Sequence, residues 1–291
     1  MENNATVYAL MAVKNRWEYT EKCIKDLLNQ TYKGIRIIVV DDGSTDRTVA
    51  ELSLKYPEVV RVQGNGNLWW TGGMNLGLRH IMDMNPSDSD FVLFLNNDTH
   101  FSNNYVQTLV NASIKYSHIP IGSVNTRGAS SHVISVLHQI TNGKVNPIIP
   151  GDFRNEDVLF ENDTLNGRGT LVPVKIIREV GFLSRLFPHY HADYDYFFRI
   201  KKLGYKLGVA TSAYTHSQDD DRGLADLIKA KKEVSVRDFI KLFFSRKSYF
   251  NLYSRSLLVL MYTPMPSKII MLAKMFTYPI YFFIKKVRKL I

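Results

Sequence analysis

The sequence predicts an α/β fold in which a mostly parallel β-sheet carries helices on both faces. Strand and helix patterns alternate along the first third of the chain, which is the order expected of βαβ units. Two apolar runs, 35–40 and 91–95, end in the polar motifs Asp41-Asp42 and Asn96-Asn97-Asp98. Because ligands of open α/β sheets bind at the carboxyl ends of strands, these motifs predict a site for a metal-bound nucleotide.

Each element follows from the spacing of its apolar residues. Short runs rich in Val, Ile and Phe indicate strands, and apolar residues three or four positions apart indicate helices. Thr45 or Asp46 is suited to cap the helix after the second strand. We predict strands at 7–13, 35–40, 59–62 and 91–95, and between them helices that bury Thr20, Cys23, Ile24, Leu27 and Leu28, then Val49, Leu52 and Tyr56, and then Met74, Leu78, Ile81 and Met82.

The pattern is less regular after residue 98. Pro147, Pro150 and Gly151 are typical of a loop, so we expect residues 142–161 to form a loop over the site. The remaining predicted elements are helices around 106–114 and over 193–203, and strands near 119–125, 133–140, 170–174 and 206–213.

The positive charge of the chain is confined to its C-terminal quarter. Residues 222–291 hold 15 Lys and Arg against three acidic residues, a net charge of +12, whereas residues 1–221 carry −2. The single cysteine excludes an intramolecular disulfide and fits a reducing compartment, and the first residues lack the features of a secretory signal. We therefore predict a cytoplasmic catalytic domain over 1–221 and a basic, aromatic-rich helical region over 222–291.

The acidic motif after the second strand lies at a strand-to-helix junction. A carboxylate of Asp41 or Asp42 can accept a hydrogen bond from the N3–H of a pyrimidine ring, and Gly43 allows the turn. The simpler interpretation is that Asp41, Asp42 and Asp46 only cap the next helix. Since a helix needs one cap and this stretch offers three acids, we favour the nucleotide contact.

The motif Asn96-Asn97-Asp98 follows a strand that is too hydrophobic for the surface. Asp98 is suited to be a single carboxylate ligand of Mg²⁺ or Mn²⁺, because substrate phosphates and water usually complete the shells of these cations. Asn96 would contact ribose or support a metal-bound water. An Asx-turn at the end of the strand is the alternative interpretation.

Two glycine-containing segments, 72–75 and 167–170, allow close approach of the backbone to a ligand. We assign Gly72, Gly73 and Asn75 to the part of the site that binds the nucleotide, as the donor substrate, and Gly169 and Thr170 to a pocket for a second substrate, the acceptor. Trp69 and Trp70 are suited to stack on a sugar or base in the pocket, and burial beneath the loop is the alternative.

A helix is predicted to begin near Asp193. Its positive end helps to keep the Asp193 carboxylate ionised and able to act as a base. Asp195 lies two residues on and faces away from Asp193, so we expect it either in the acceptor pocket or paired with Arg199. For His189 and His191 we favour a surface or packing role, and His216 is a weak candidate for a metal ligand.

Several common site classes are excluded by missing motifs. The sequence has no G-x-G-x-x-G or Walker-type loop after a strand, which argues against nicotinamide and P-loop chemistry. It also lacks zinc-type Cys/His spacing and a G-x-S-x-G elbow.

Taken in order, these motifs resemble those of the family 2 glycosyltransferases, which have the GT-A fold, a Rossmann-like mixed sheet flanked by helices. Within the family, the sequence is most similar to the bacterial polysaccharide branch that includes rhamnosyltransferases. The resemblance covers roughly residues 6–220. The matching stretches are 12–16, 40–46, 72–77, 95–99, 167–171 with 180–182, and 193–195 through Arg199 to 204–205.

The resemblance implies a role for each matched position. Asp42, with Asp41 beside it, would contact the nucleotide base, and the turn with Ala12, Val13, Asn15 and Arg16 would line its pocket. Asn96-Asn97-Asp98 would be the metal motif, with Asn96 in place of its usual first acid. Asp193 matches the catalytic base, Ala192 stands where many members have glutamate, and His216 matches a histidine that often joins the metal site.

The resemblance thus implies a metal-dependent, inverting glycosyltransferase with a nucleotide-diphosphate sugar donor and a glycan or polyprenyl-linked acceptor. One alternative is a sugar-1-phosphate nucleotidyltransferase. That class would require a Gly-rich basic loop after the first strand, where this chain has Val13-Lys14-Asn15-Arg16. The other is a catalytically inactive membrane-docking or carbohydrate-binding module.

The C-terminal region is rich in aromatic and basic residues from Phe239 onward. Residues 269–284 are apolar except for Lys274, Thr277 and Pro279, and a basic cluster follows. A spanning helix needs about 20 apolar residues, so we predict interfacial helices on the anionic inner face of the plasma membrane. Packing on the catalytic domain or in a homo-oligomer is the alternative, and consecutive Ile, Leu and Phe argue against nucleic acid.

Overall fold

The structure is a computed structural model that describes residues 5–128, 132–141, 144–217, 228, 231 and 234–286. The strands are β1 (Val7–Val13), β2 (Ile35–Asp41), β3 (Val60–Gln63), β4 (Phe91–Leu95), β5 (Thr99–His100), β6 (Ile121–Arg127), β7 (His132–Ser135), β8 (Leu137–Thr141), β9 (Lys144–Ile148), β10 (Val158–Leu159), β11 (Thr170–Pro173) and β12 (Gly208–Ser217). The helices are α1 (Trp17–Leu28), α2 (Thr48–Lys55), α3 (Trp69–Asp83), α4 (Tyr105–Lys115), α5 (Val174–Val180), α6 (Ala192–Lys202), α7 (Val236–Phe244), α8 (Leu252–Tyr262) and α9 (Ser267–Lys286), with one 3₁₀ turn at Phe153–Asn155.

A mixed sheet forms the centre of the molecule. Its main strand order is β10-β12-β6-β11-β4-β1-β2-β3, with β5 beside β12 and β7 beside β6. The four strands β4, β1, β2 and β3 are parallel to one another, and β11 runs antiparallel between β4 and β6. This arrangement, with helices on both faces, confirms the predicted α/β fold.

Alternate residues of the central strands face two separate hydrophobic layers. Val7, Ala9 and Met11 of β1 pack in the layer that contains α1 and α4. Tyr8 and Leu10 pack in the opposite layer with α3 and α6. Because side chains alternate across a strand, a strand buried on both faces must be apolar throughout, which explains the continuous runs in β1 and β4.

Some predicted elements differ from the structure. Residues 142–161 do not form a simple loop, because β9 pairs with β8 as a hairpin; residues 142 and 143 lie outside the described part of the chain. Pro147 is tolerated in β9 because that strand has only one partner in a two-stranded sheet. The run 133–140 is divided between β7 and β8 since the two strands pair with different neighbours.

Smaller differences occur at element ends. Leu28, expected to be buried, is 46% exposed at the end of α1. The α3 helix begins at Trp69, and β12 extends past residue 213 and includes His216. Arg47 occupies the N-cap position of α2, where either Thr45 or Asp46 was expected; Asp46, one residue earlier, still accepts a hydrogen bond on Oδ1 from Thr48 N at 3.0 Å.

The helices α7, α8 and α9 form a C-terminal unit with its own small core around Phe243 and Phe282. The α8 helix joins this unit to the catalytic domain: Leu258 is buried in the layer that contains α6, and the rings of Tyr262 and Phe198 lie 4.2 Å apart. The predicted domain boundary between residues 221 and 222 falls outside the described residues.

The α9 helix is longer than the apolar run seen in the sequence, because it begins at Ser267 and continues through Pro279. Among the described residues, the segment Ser267–Lys285 is long and apolar enough to cross a membrane, by length and composition alone.

Close packing of α3 on the sheet depends on Gly77. A Cβ at Gly77 would lie 2.2 Å from Leu10 Cδ1 and 2.9 Å from Val40 Cγ2. Gly77→Ala should therefore lower the free energy of unfolding by about 1–3 kcal/mol through overpacking, even though alanine favours a helix. Urea unfolding measures this change. Gly151→Ala is the control, because nothing lies within 4 Å of its Cβ position; equal stabilities of the two variants would contradict the prediction.

Candidate functional site

The strands β1, β2 and β4 end together at one edge of the sheet. Their register places Val13 beside Asp41 and Met11 beside Leu95. A cavity of about 1260 Å³ opens at this edge. Since a pocket for one drug-sized ligand is usually about 300–1,000 Å³, this cavity has room for two substrates. Asp42, Asp98 and Asp193 all line it.

Asp42 holds the loop that leads into α3. Its Oδ1 accepts a hydrogen bond from Gly66 N at 2.8 Å, and its Oδ2 accepts from Leu68 N at 2.9 Å and from Trp69 N at 3.3 Å. A carboxylate has about four acceptor positions, so one position on Oδ1 remains for a ligand donor such as a base N–H.

Asn15 connects the ends of β1 and β2. Its Oδ1 accepts hydrogen bonds from Thr45 N at 2.6 Å and Asp46 N at 3.2 Å, and its own N–H donates to Ser44 Oγ at 2.9 Å. Asn15 has φ 54°, in the left-handed region. Ala12, Val13, Asn15 and Arg16 all line the cavity, which places the whole predicted turn on its wall.

Two further cavity-lining residues, Trp69 (φ 59°) and His191 (φ 73°), also have left-handed backbone. Bulky residues rarely adopt this conformation, and such strain is concentrated at functional sites. The surrounding structure therefore maintains an unfavourable backbone geometry at three points of one cavity.

Asp98 is the last residue of the predicted metal motif and its only carboxylate. Its Oδ2 accepts a hydrogen bond from Arg16 Nη1 at 3.0 Å, and its side chain is 5% exposed. Asn96 Oδ1 accepts from Trp70 Nε1 at 3.1 Å, and Asn97 Nδ2 donates to Thr20 Oγ1 at 2.9 Å, so both asparagines are held in place on the cavity wall.

This donor set fits a divalent cation that shares its ligands with a phosphate. Within the described residues, no three His, Cys, Asp or Glu side chains form a ready-made metal site. Mg²⁺ usually takes one or two carboxylates and completes its shell with water and substrate phosphates. Asp98 provides one such carboxylate beside a cavity of sufficient size.

Asp193 lies at the start of α6, as the sequence predicts. Its Oδ2 accepts a hydrogen bond from Gly167 N at 2.9 Å, and its Oδ1 accepts from Tyr194 N at 2.9 Å. Burial raises the pKa of this carboxyl group above that of an ordinary aspartate, and outweighs those two hydrogen bonds, which act in the opposite direction. The N–H groups at the start of α6 act in the predicted direction, towards the ionised form, but burial has the larger effect on the pKa.

Three histidines of the cavity wall are kept neutral. Burial lowers the pKa of His138 to about 4, of His189 to about 4 with a contribution from the Lys247 charge, and of His191 to about 3. His189 and His191, expected at the surface or in packing, line the cavity. The three imidazoles therefore bring no positive charge to the cavity that Asp193 lines.

Several residues assigned to the site from sequence do not line the cavity. Asp41 is the last residue of β2 and Gly43 lies in the turn that follows, where Asp41 Oδ1 accepts from Ser44 N at 3.1 Å. Gly73 allows α3 to pack closely on Ala12 of β1, and a Cβ at Gly72 would lie 3.1 Å from Leu68 Cβ, one turn earlier at the N-cap of the same helix. The Asn75 side chain is buried and bonds to the backbone N–H and carbonyl of Leu183.

The assigned acceptor residues Gly169 and Thr170 serve the sheet. Gly169 has φ +83° and a Cβ there would lie 2.2 Å from Tyr105 Oη, while Thr170 Oγ1 donates to Asn166 O at 2.7 Å. Asp195 is buried and accepts from Arg199 Nε at 3.1 Å, which matches the alternative that the sequence left open. His216 Nδ1 lies 2.6 Å from Thr126 Oγ1, away from the cavity wall.

Other cavity-lining residues were not identified from sequence. Lys14 and Arg168 lie within the matching stretches 12–16 and 167–171 but were not assigned to the site. The others come from distant loops and from the β6–β9 region: Asn67, Asn125, Arg127, His138, Lys144, Lys247, Tyr249 and Phe250.

The neutral histidines make stability depend on pH. An unfolded histidine binds a proton near pH 6.5, whereas His191 in the folded chain does so only near pH 3. The unfolded state therefore holds more protons between these values, so stability is full above pH 6.5 and falls as pH decreases, by about 1.4 kcal/mol per pH unit for each such histidine.

His191→Asn should flatten this fall in thermal midpoint between about pH 7 and pH 5, because asparagine tolerates the left-handed backbone but does not titrate. His132→Asn, at an exposed position, is the control. An unchanged pH profile in His191→Asn would show that His191 titrates normally in the folded protein.

Comparisons with known proteins agree with this geometry. The model of the family Glycosyl transferase family 2 matches residues 8–180. An uncharacterized glycosyltransferase of Haemophilus influenzae is 24% identical over 239 residues, covering 76% of this chain and 72% of that protein. An uncharacterized glycosyltransferase of Rickettsia felis is 25% identical over 231 residues, but the chain spans only 36% of its length.

The fold is also found in a solved structure. The crystal structure of GalNAc-T7 with UDP, GalNAc and Mn²⁺ has a TM-score of 0.61 at 13% identity, covering 91% of this chain and 52% of that one. At this identity the likeness shows the fold alone, which is GT-A. Because the family model covers more than half of the chain, the protein belongs to glycosyl transferase family 2.

Proposed function

We propose that this glycosyltransferase moves a sugar from a nucleotide-diphosphate donor to a hydroxyl of a lipid-linked glycan, with inversion, in the synthesis of a cell-surface polysaccharide. The observation that carries the proposal is that Asp42, Asp98 and Asp193, which are far apart in sequence, line one cavity. The rhamnosyltransferase-like motifs make deoxyhexoses candidates for the donor sugar beside the common hexoses.

The donor would bind along the ends of β1, β2 and β4. The nucleotide base would contact the free acceptor position of Asp42 and the turn at Asn15. Arg16 and Lys14 follow β1 on the same wall, and their positive charges suit the donor diphosphate. Asp98 would hold a divalent cation, which when bound neutralises charge on the departing diphosphate.

Asp193 would act as general base on the acceptor hydroxyl. The hydroxyl oxygen attacks the anomeric carbon on the face opposite the diphosphate, and its proton passes to an Asp193 carboxylate oxygen. A raised pKa makes this carboxylate a stronger base than an exposed aspartate, and bonds from Gly167 N and Tyr194 N fix its orientation. Proton transfer of this kind is typically worth about 10²–10⁴ in rate.

The test is release of nucleoside diphosphate from a panel of hexose and deoxyhexose donors with Mg²⁺ or Mn²⁺. Asp193→Asn should lower turnover by about 10²–10⁴ while donor binding persists, because the amide keeps the shape of the side chain. Asp152→Asn, at an exposed position, should behave as wild type. Near-normal turnover of Asp193→Asn would show that Asp193 is not the general base.

We also propose that the C-terminal unit binds the anionic inner surface of a membrane, where a lipid-linked acceptor would be found. Residues 234–286 contain nine Lys and Arg and a single acidic residue, Asp238. One face of α9 is buried through Met275 and Phe282, but most of its other large apolar side chains face solvent. These exposed side chains are Ile269, Ile270, Phe276, Tyr278, Ile280, Tyr281, Phe283 and Ile284.

Apolar residues flanked by basic ones are typical of interfacial helices, and each Lys or Arg near an anionic leaflet adds about 1 kcal/mol. The protein should sediment with phosphatidylglycerol vesicles more than with phosphatidylcholine vesicles. The double variant Phe276→Asp, Ile280→Asp should lose this binding.

Leu54→Asp is the matched control, because Leu54 is 79% exposed on α2 of the catalytic domain. Equal sedimentation of the α9 variant and the control would contradict membrane binding through α9. If the wild type does not bind vesicles and is not monomeric in solution, the exposed face of α9 would instead be a contact between copies of the chain.

A further inference from the structure

The loop between α7 and α8, residues 245–251, forms part of the cavity wall. Lys247, Tyr249 and Phe250 line the same cavity as Asp193, although they lie beyond the residues 8–180 that match the family. This loop therefore provides a wall of the site that the common family motifs do not encode.

The loop is held firmly by its own hydrogen bonds. Ser248 is buried and its hydroxyl donates to Leu242 O, at the end of α7. Asn251 Nδ2 donates to Phe244 O at 3.0 Å and to Ser245 O at 3.2 Å, and Asn251 Oδ1 caps α8 by accepting from Ser254 N at 3.0 Å. The position of Lys247 is thus set by both neighbouring helices.

The loop packs against the residues that precede the base. His191 Nε2 lies 3.3 Å from Tyr249 O, where the neutral imidazole donates. The ring of Tyr249 lies 4.9 Å from the ring of His191 and 6.0 Å from that of Tyr190. The loop therefore faces the Asp193 side of the cavity, whereas Lys14 and Arg16 belong to the β1 side.

Lys247 brings a positive charge from this loop to the cavity wall, beside Trp69 and His189. Its Nζ lies 6.0 Å from the Trp69 ring centroid, and its charge contributes to the lowered pKa of His189. Within the described residues, Lys247 forms no ion pair, and neither do Arg127 and Lys144, which line the cavity as well.

We propose that Lys247 binds a phosphate or carboxylate group of the acceptor, in the same cavity that Asp193 lines. The acceptor is then an anionic compound. Lysine binds such oxyanions as a point charge, and Lys247 is exposed where it lines the cavity, so its ammonium group is accessible to a ligand. The proposal rests on the proposed transfer to an acceptor hydroxyl, and adds the chemical class of that acceptor.

The experiment uses the full chain with UDP and Mn²⁺ at saturating concentration, so that the donor site is filled. Binding of glucose 1-phosphate is compared with binding of methyl glucoside, its uncharged counterpart, by calorimetry. Wild type should bind the phosphorylated probe at least tenfold more tightly. Lys247→Ala should remove most of this preference, about tenfold in affinity, and Lys247→Arg should restore part of it.

Lys241→Ala is the matched control, because Lys241 is exposed on α7 but does not line the cavity. Equal binding of the two probes to wild type, or equal effects of Lys247→Ala and Lys241→Ala, would overturn the proposal. Weaker UDP binding in Lys247→Ala would also overturn it, by placing Lys247 at the donor diphosphate. Failure of UDP to bind wild type would count against the glycosyltransferase mechanism itself, and is thus distinguishable.

Discussion

The burial of β1 and β4 on both faces is the constraint on which the site depends. A strand that packs against helices on both sides and pairs on both edges has no place for a polar side chain along its length. Its chain meets solvent only at the ends, and parallel neighbours end at the same edge. Asn15, Asp42 and Asp98 are therefore brought to one cavity by the hydrophobic core itself.

Electrostatics divides this cavity into two halves. On the β1 side, the Asp98 carboxylate is balanced by Arg16 at 3.0 Å. On the α6 side, Asp193 accepts hydrogen bonds from the backbone N–H groups of Gly167 and Tyr194 and lies near the Arg168 charge, but burial still raises its pKa. A desolvated carboxylate is a better proton acceptor, so the same residue type has different chemistry in the two halves.

Elements that depend on local periodicity could be predicted from the sequence. The roles of site residues could not be predicted where they depend on contacts with residues distant in the chain. The strands at 7–13 and 91–95 and the start of α6 follow from apolar spacing alone. Gly73 was assigned to a ligand because a glycine near a ligand and a glycine near Ala12 look identical in sequence. Tyr249 could not be predicted at all, since its contact with His191 joins residues 58 positions apart.

One contact joins the C-terminal unit to the helix that begins at the cavity. The Tyr262 hydroxyl donates to Asp195 Oδ1, and Arg199 binds the other oxygen while donating to Val180 O and Phe182 O. Without α8, the buried Asp195 carboxylate would keep Arg199 but lose the hydrogen bond from Tyr262. The hydroxyl of Tyr262 therefore ties the C-terminal unit to α6, the helix that carries Asp193.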